Sequence, residues 1–231
     1  MVRVRGVAGH ANPAGSEGQG LADRLRERTR SAHEQAERTG IVRDLFRGRA
    51  SRRGYALYLR NLLPAYAALE RAIEHRRTEP WIAPLAIPAV YRAPAIEVDL
   101  AQLEGDAWRR SLPLLPEGAA YADRIETTGA QEPARLIAHA YTRYLGDLNG
   151  GQVLKSLLAR TLGLTAADLS FHEFAAGGDL PGLRRSVRDA IDRAGRAASD
   201  VAAILEEGEH AFRCNIAVSI AAGAAAPASP Y

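Results

Sequence analysis

From Leu21 onward, apolar and small residues recur at helical intervals. Leu21, Leu25, Thr29, Ala32 and Ala36 step by three or four positions, which keeps one stripe of a helix facing a core. Gly40 is the expected stop. Ser51 is positioned to cap a second helix through YALYLRNLLPAYAALERAIEHR, with Pro64 expected to kink it or to mark its true start. Pro80, Pro84, Pro88 and Pro94 make residues 80–96 read as an extended connector with short helical turns. EVDLAQLEGDAWRRSL, with Gly105 near its middle, and AAYADRIETTG are expected as short helices around a break at Pro113 and Pro116. A long periodic segment follows from Pro133 to about Leu162, then helices at 180–194 and 198–221. Alternating strand runs and fixed-period repeats are missing from this pattern. It predicts one all-α domain of about eight or nine helices. The segments 1–19 and 222–231 are rich in Gly, Pro, Ala and small polar residues, and are expected to be a flexible extension and tail around a helical domain at 20–221.

Composition narrows the class. At 231 residues, 47% of them hydrophobic, the chain is too apolar for disorder and of single-domain size. Of its basic residues 29 are Arg and only Lys155 is Lys, yet the formal charge is +3. Arg offers a planar fork to carboxylate or phosphate, so the bias fits oxyanion partners; it fits a codon-usage habit as well. The small net charge does not announce nucleic-acid binding. Cys214 is the only cysteine, which excludes an intrachain disulfide and a zinc ribbon and fits a reducing compartment. The first residues carry Arg but no apolar h-region, and the Ala-rich end is shorter than the ~20 residues of a spanning helix. The expectation is a soluble cytoplasmic protein.

Two segments hold candidate chemistry. AHAYTRYLGDLNGGQVLKSLLAR places Gly146, Gly150 and Gly151 within the most helical stretch, where each Gly costs about 1 kcal/mol against Ala. A close approach by a partner helix, or by a flat ligand, would account for them. Asp147 lies one turn after Arg143 and one before Gly151, so these three share a face. They read either as a surface ion pair or as a polar network beside a glycine gap. In LADRLRERTRSAHEQAE, His33 follows Arg26 by seven residues, two turns at ~100° per residue. Glu37 is one turn beyond His33, where a carboxylate can fix an imidazole tautomer and free the other nitrogen for metal. A solvated structural histidine fits the same spacing. HExxH, GxSxG, P-loop, GxGxxG and CxxC patterns are missing, so protease, hydrolase, NTPase and dinucleotide chemistry are unsupported.

AHAYTRYLGDLNGGQVLK resembles the distal segment of heme oxygenases, and TRSAHEQAE resembles their proximal-ligand segment. AYAALERAIE, EVDLAQLEGDAW and HAFRCNIAVS match in order and spacing, so the similarity spans about residues 20–221. The resemblance implies an all-α, single-domain heme oxygenase-like fold with heme sandwiched between a proximal and a kinked distal helix. It implies His33 as the iron ligand with Glu37 behind it, and Gly146, Gly150 and Gly151 laid across the macrocycle. Asp147 would anchor a distal water network supported by Tyr66, Arg143, Thr142 and Asn215. Arg26, Tyr141, Arg184 and Arg188 would steer the heme propionates.

The implied reaction cleaves heme at a meso-carbon with O2 and reductant, giving biliverdin, CO and ferrous iron. A neutral glycine wall with an Asp-held water would supply protons gently, so that oxygen attacks the porphyrin edge before the O–O bond breaks. The implied partners are heme and an electron donor such as a ferredoxin, a flavodoxin-type protein or an NAD(P)H-dependent reductase. Arg24, Arg28 and Arg30 would form a basic face toward an acidic donor. The expected form is a monomer without membrane anchor and without nucleic acid. Asn149, Val187 and Cys214 depart from the usual family residues. A non-catalytic heme carrier on the same fold and an all-α DNA-binding regulator are the alternatives, the latter lacking a helix-turn-helix pattern.

Overall fold

A computed structural model describes residues 19–174 and 178–226. Among them the chain forms α1 (Leu21–Arg28), α2 (Arg30–Glu37), α3 (Gly40–Phe46), α4 (Arg52–His75), α5 (Ala93–Glu104) and α6 (Trp108–Ser111). Then come α7 (Pro116–Gln131), α8 (Leu136–Ala140), α9 (Gly146–Leu162), α10 (Leu180–Ala197) and α11 (Val201–Ala225). Short 3-10 turns occupy Ala83–Leu85 and Pro88–Val90 in the expected connector. The expected extension lies outside the described residues up to position 18, as does the tail from 227.

The core forms around α4. Tyr55, Leu59, Leu62, Tyr66, Leu69 and Ile73 are all buried along it, at about 1.5–3 kcal/mol for each large apolar side chain. The helix packs against α5, α7 and α11. Ser51 caps it as expected, accepting from the Gly54 N–H at 3.0 Å. Pro64 neither breaks α4 nor begins it. The cost of an interior proline, about 3 kcal/mol, is offset by burial on several sides.

Other punctuation differs from expectation. The first periodic stretch is two helices, α1 ending at Thr29, whose hydroxyl donates back to the Leu25 carbonyl at 2.7 Å. Gly40 starts α3 instead of stopping a helix. It takes φ +57° with the Ser219 carbonyl so near that a Cβ would lie 2.3 Å from it, a position open only to glycine. Gly105, at φ +75°, separates α5 from α6. Helix α10 reaches Ala197 and α11 reaches Ala225, beyond the expected ends at 194 and 221. The long segment from Pro133 is interrupted, too. A single π-helical turn, Tyr141–Leu145, lies between α8 and α9. The wider turn inserts one extra residue immediately before the glycines of α9.

Helix α1 is laid closely against α10. The Ala22 N–H donates to Asp192 at 2.8 Å, and a Cβ at Gly195 would lie 2.6 Å from Leu21. The proximal pair α1–α2, the π turn with α9, and α10 thereby bound one cleft.

Candidate active site

The cleft has a volume of about 700 Å³, within the range of small-molecule sites. One wall is α1–α2, presenting Arg26, Thr29, Arg30, His33 and Glu37. The opposite wall is the π turn and α9, presenting Tyr141, Thr142, Gly146, Asn149 and Gly150. Arg184 and Arg188 of α10 stand at its edge, and Phe212 of α11 lies behind the proximal wall.

The His33 side chain is 54% exposed in this cleft. Its ring meets Phe212 edge-on at 5.7 Å, which limits rotation while leaving the outward nitrogen available. Glu37 Oε1 is 3.7 Å from Nδ1, too long for a hydrogen bond, so the expected tautomer-fixing bond is not formed here. Across the cleft, a Cβ on Gly146 or on Gly150 would meet nothing within 4 Å. The glycine gap therefore faces open space and not a partner helix. Gly151 corrects the expected trio: a residue beside Gly150 turns ~100° around the helix. Its Cα faces the strap at Ser170–His172, where a Cβ would lie 3.2 Å from His172 Nδ1.

Asp147 stands behind the glycine wall, half-buried. Tyr66 donates to its Oδ2 at 2.6 Å. Burial pushes the Asp147 carboxyl up to about 6, against the opposing pull of Arg143, the Tyr66 hydrogen bond and Arg92. No Arg143–Asp147 ion pair forms among the described residues. Arg143 is buried with its guanidinium 5.7 Å from the Tyr66 ring centre. Burial opposes that charge, but Tyr66, Tyr121 and Asp147 more than offset it and hold Arg143 protonated. The Thr142 hydroxyl is spent on the Ala138 carbonyl at 2.9 Å. Asn215 is buried on α11 and does not line the cleft, and its Oδ1 has no protein partner.

The edge is the most cationic part. Arg188 pairs with Asp23, and Arg184 Nη2 donates to the Leu148 carbonyl at 2.6 Å. Burial raises the Tyr141 hydroxyl, while hydrogen bonding with Thr29 and the charges of Arg26 and Arg188 act the other way. Tyr141 lines the cleft together with these arginines. Thr29, Arg30 and Phe212 were not anticipated as lining residues. Arg30 was legible, one helical turn after Arg26; Phe212 was not, being 179 positions from His33.

A second buried cluster went unread. His139 Nε2 and Glu207 Oε1 are 3.0 Å apart, and Arg124 grips the same carboxylate. Burial opposes the Glu207 charge, but the hydrogen bonds from His139 and Arg124 prevail and hold its carboxyl well below the usual range.

The cleft suits a flat ligand with an atom for imidazole at its centre and carboxylates at its rim. The glycine gap leaves one wall bare, His33 lines the facing wall, and four arginines of α1, α2 and α10 line the same cleft. This is an all-α protein with a cleft between a histidine-bearing helix pair and a glycine-bearing distal helix. The heme oxygenase family model matches residues 19–221. Heme oxygenase 1 of Homo sapiens is 36% identical over 204 residues, covering 86% of this chain and 70% of its own length. Heme oxygenase 1 of the cyanobacterium Synechocystis is 32% identical over 196 residues, covering 85% and 82%. The crystal structure of the Synechocystis enzyme in complex with heme superposes with TM-score 0.80 at 32% identity, over 87% of this chain and 90% of that one. The heme oxygenase of Leptospira interrogans superposes with TM-score 0.82 at 30% identity, over 88% and 100%. The chain belongs to the heme oxygenase family. Neither the carrier nor the DNA-binding alternative finds support among these relatives. No described helix is long and apolar enough to cross a membrane.

Proposed function

We propose that this protein is a heme oxygenase that opens heme at a meso-carbon, consuming O2 and reducing equivalents and releasing biliverdin, CO and ferrous iron. One observation carries the reading: an exposed imidazole faces two glycines whose missing side chains leave the opposite wall bare. Heme, when bound, is both the substrate and the centre that activates O2. His33 is the ligand for its iron, held edge-on by Phe212. Arg26, Arg184, Arg188 and Tyr141 receive its propionates, and the planar guanidinium fork suits a carboxylate.

Asp147 holds and moves the proton. With its carboxyl raised to about 6, it is within reach of both protonation states near neutrality, the condition for general acid–base work. Tyr66 fixes its orientation. Arg143 Nε, Tyr121 Oη and Asn215 Oδ1 are buried without protein partners, polar groups of the kind that ordered water satisfies. They support a water-linked route behind the glycine wall. Because the distal wall is bare backbone at Gly146 and Gly150, no acidic side chain meets the ligand from those two positions.

Arg24, Arg28 and Arg30 offer a basic approach to the proximal side for an acidic electron donor such as a ferredoxin, flavodoxin-type protein or reductase. Arg28 is partly matched by Glu209 at 2.9 Å and Arg30 also lines the cleft, so Arg24 contributes most to that face. A monomer in the cytoplasm fits the lone Cys214.

Purified protein mixed with hemin should give a sharp Soret band, and reductant with O2 should replace it with biliverdin absorbance. Binding without bilin formation would return the carrier reading. No binding would remove the cleft assignment.

A further inference from the structure

The four arginines of the cleft are not equivalent. Arg26 and Arg30 form no ion pair among the described residues. Arg184 is tied to the distal helix through the Leu148 carbonyl. Arg188 alone is matched by a carboxylate of the protein, that of Asp23 in the first turn of α1. Asp23 is not free to leave this place. Its helix is pinned to α10 by the Ala22 N–H on Asp192 and by the Leu21–Gly195 contact. Asp192 and Asp189 also act on the Arg188 charge, but the direct ion pair is with Asp23, so Asp23 is the carboxylate that answers Arg188.

We propose that Asp23 is a specificity-determining residue of the cleft: its carboxylate competes with one carboxylate of the ligand for Arg188. The inference rests on the heme reading above. A ligand with two carboxylates then meets an asymmetric edge. One side offers unmatched Arg26 and Arg30, and the other offers an arginine already half-neutralised by an internal anion. The ligand seats with its carboxylates drawn toward α1–α2, and Asp23 sets how strongly.

Asp23→Asn keeps the shape and removes the charge. Hemin titration should show tighter binding by about twofold to fivefold, the fold-change that a half-exposed charge pair supports. Proton NMR of the cyanide-treated hemin complex should show a changed ratio of seating isomers. Neither change should occur in an Arg188→Leu background, because the competition has lost its object. Hemin dimethyl ester, which lacks the carboxylates, should bind wild type and Asp23→Asn equally. Unchanged or weaker hemin binding by Asp23→Asn would overturn the inference. So would the same gain in the Arg188→Leu background or with the diester. Wild-type protein that binds no hemin would overturn the functional reading and the inference together. Hemin binding by wild type with an indifferent Asp23→Asn would overturn the inference alone.

Discussion

His33 and Asp147 lie on opposite sides of one glycine wall, and their substitutions should fail differently. His33→Ala should lose the sharp Soret band and most turnover, with added imidazole restoring part of both. An unaltered hemin spectrum would remove His33 as the ligand. Asp147→Ala should keep hemin binding and lose most of the biliverdin yield, measured by product absorbance. Asp147 also leaves a mark on stability. Its carboxyl is raised from 3.8 to about 6, so the folded chain holds a proton there that the unfolded chain has released. The Asp147 contribution to stability therefore falls as pH rises from about 4 to about 6. Asp147→Asn should flatten part of that slope in urea melts, leaving the share of Asp99, which burial also raises to about 6. At this scale the chain itself pointed to His33 and Arg26, which line the cleft, because they sit in a segment dense with chemistry. Asn215 and Gly151 could not be placed, since the side of a helix that faces a cleft depends on what packs against it.

At the scale of elements, the distal helix separates two kinds of glycine that adjoin in sequence. Gly150 borders open cleft and Gly151 borders His172. Gly150→Leu should leave the melting temperature unchanged or raised, since leaving glycine gains up to about 1 kcal/mol in a helix, while abolishing hemin binding. Gly151→Leu should destabilise the fold by about 1–3 kcal/mol through overpacking against His172. Calorimetry and hemin titration of the two variants separate the roles. The π turn at Tyr141–Leu145 was not legible. Periodicity reports an apolar stripe and does not resolve one extra residue within it. Thr29 likewise matched the stripe but stands at the end of α1, which an apolar period does not report.

On the scale of the whole molecule, the α4 core and the cluster of Glu207, His139 and Arg124 join α7, α8 and α11 behind the cleft. Glu207→Ala should cost about 3 kcal/mol or more, because it strands Arg124 and the buried His139 without their carboxylate; a denaturant melt tests it. The sequence by itself determined the all-α class and both chemical segments, as well as the cap at Ser51. These follow from local periodicity, from glycine and proline placement, and from residue types concentrated in short stretches. Tertiary structure alone decided that Pro64 stays inside a helix, that Gly40 begins one and that Asp23 answers Arg188. It also decided that Phe212 stands behind His33. Each of these depends on contacts between residues far apart in the chain. Burial energy and close backbone approach outweigh local preference there, and neither leaves a local trace.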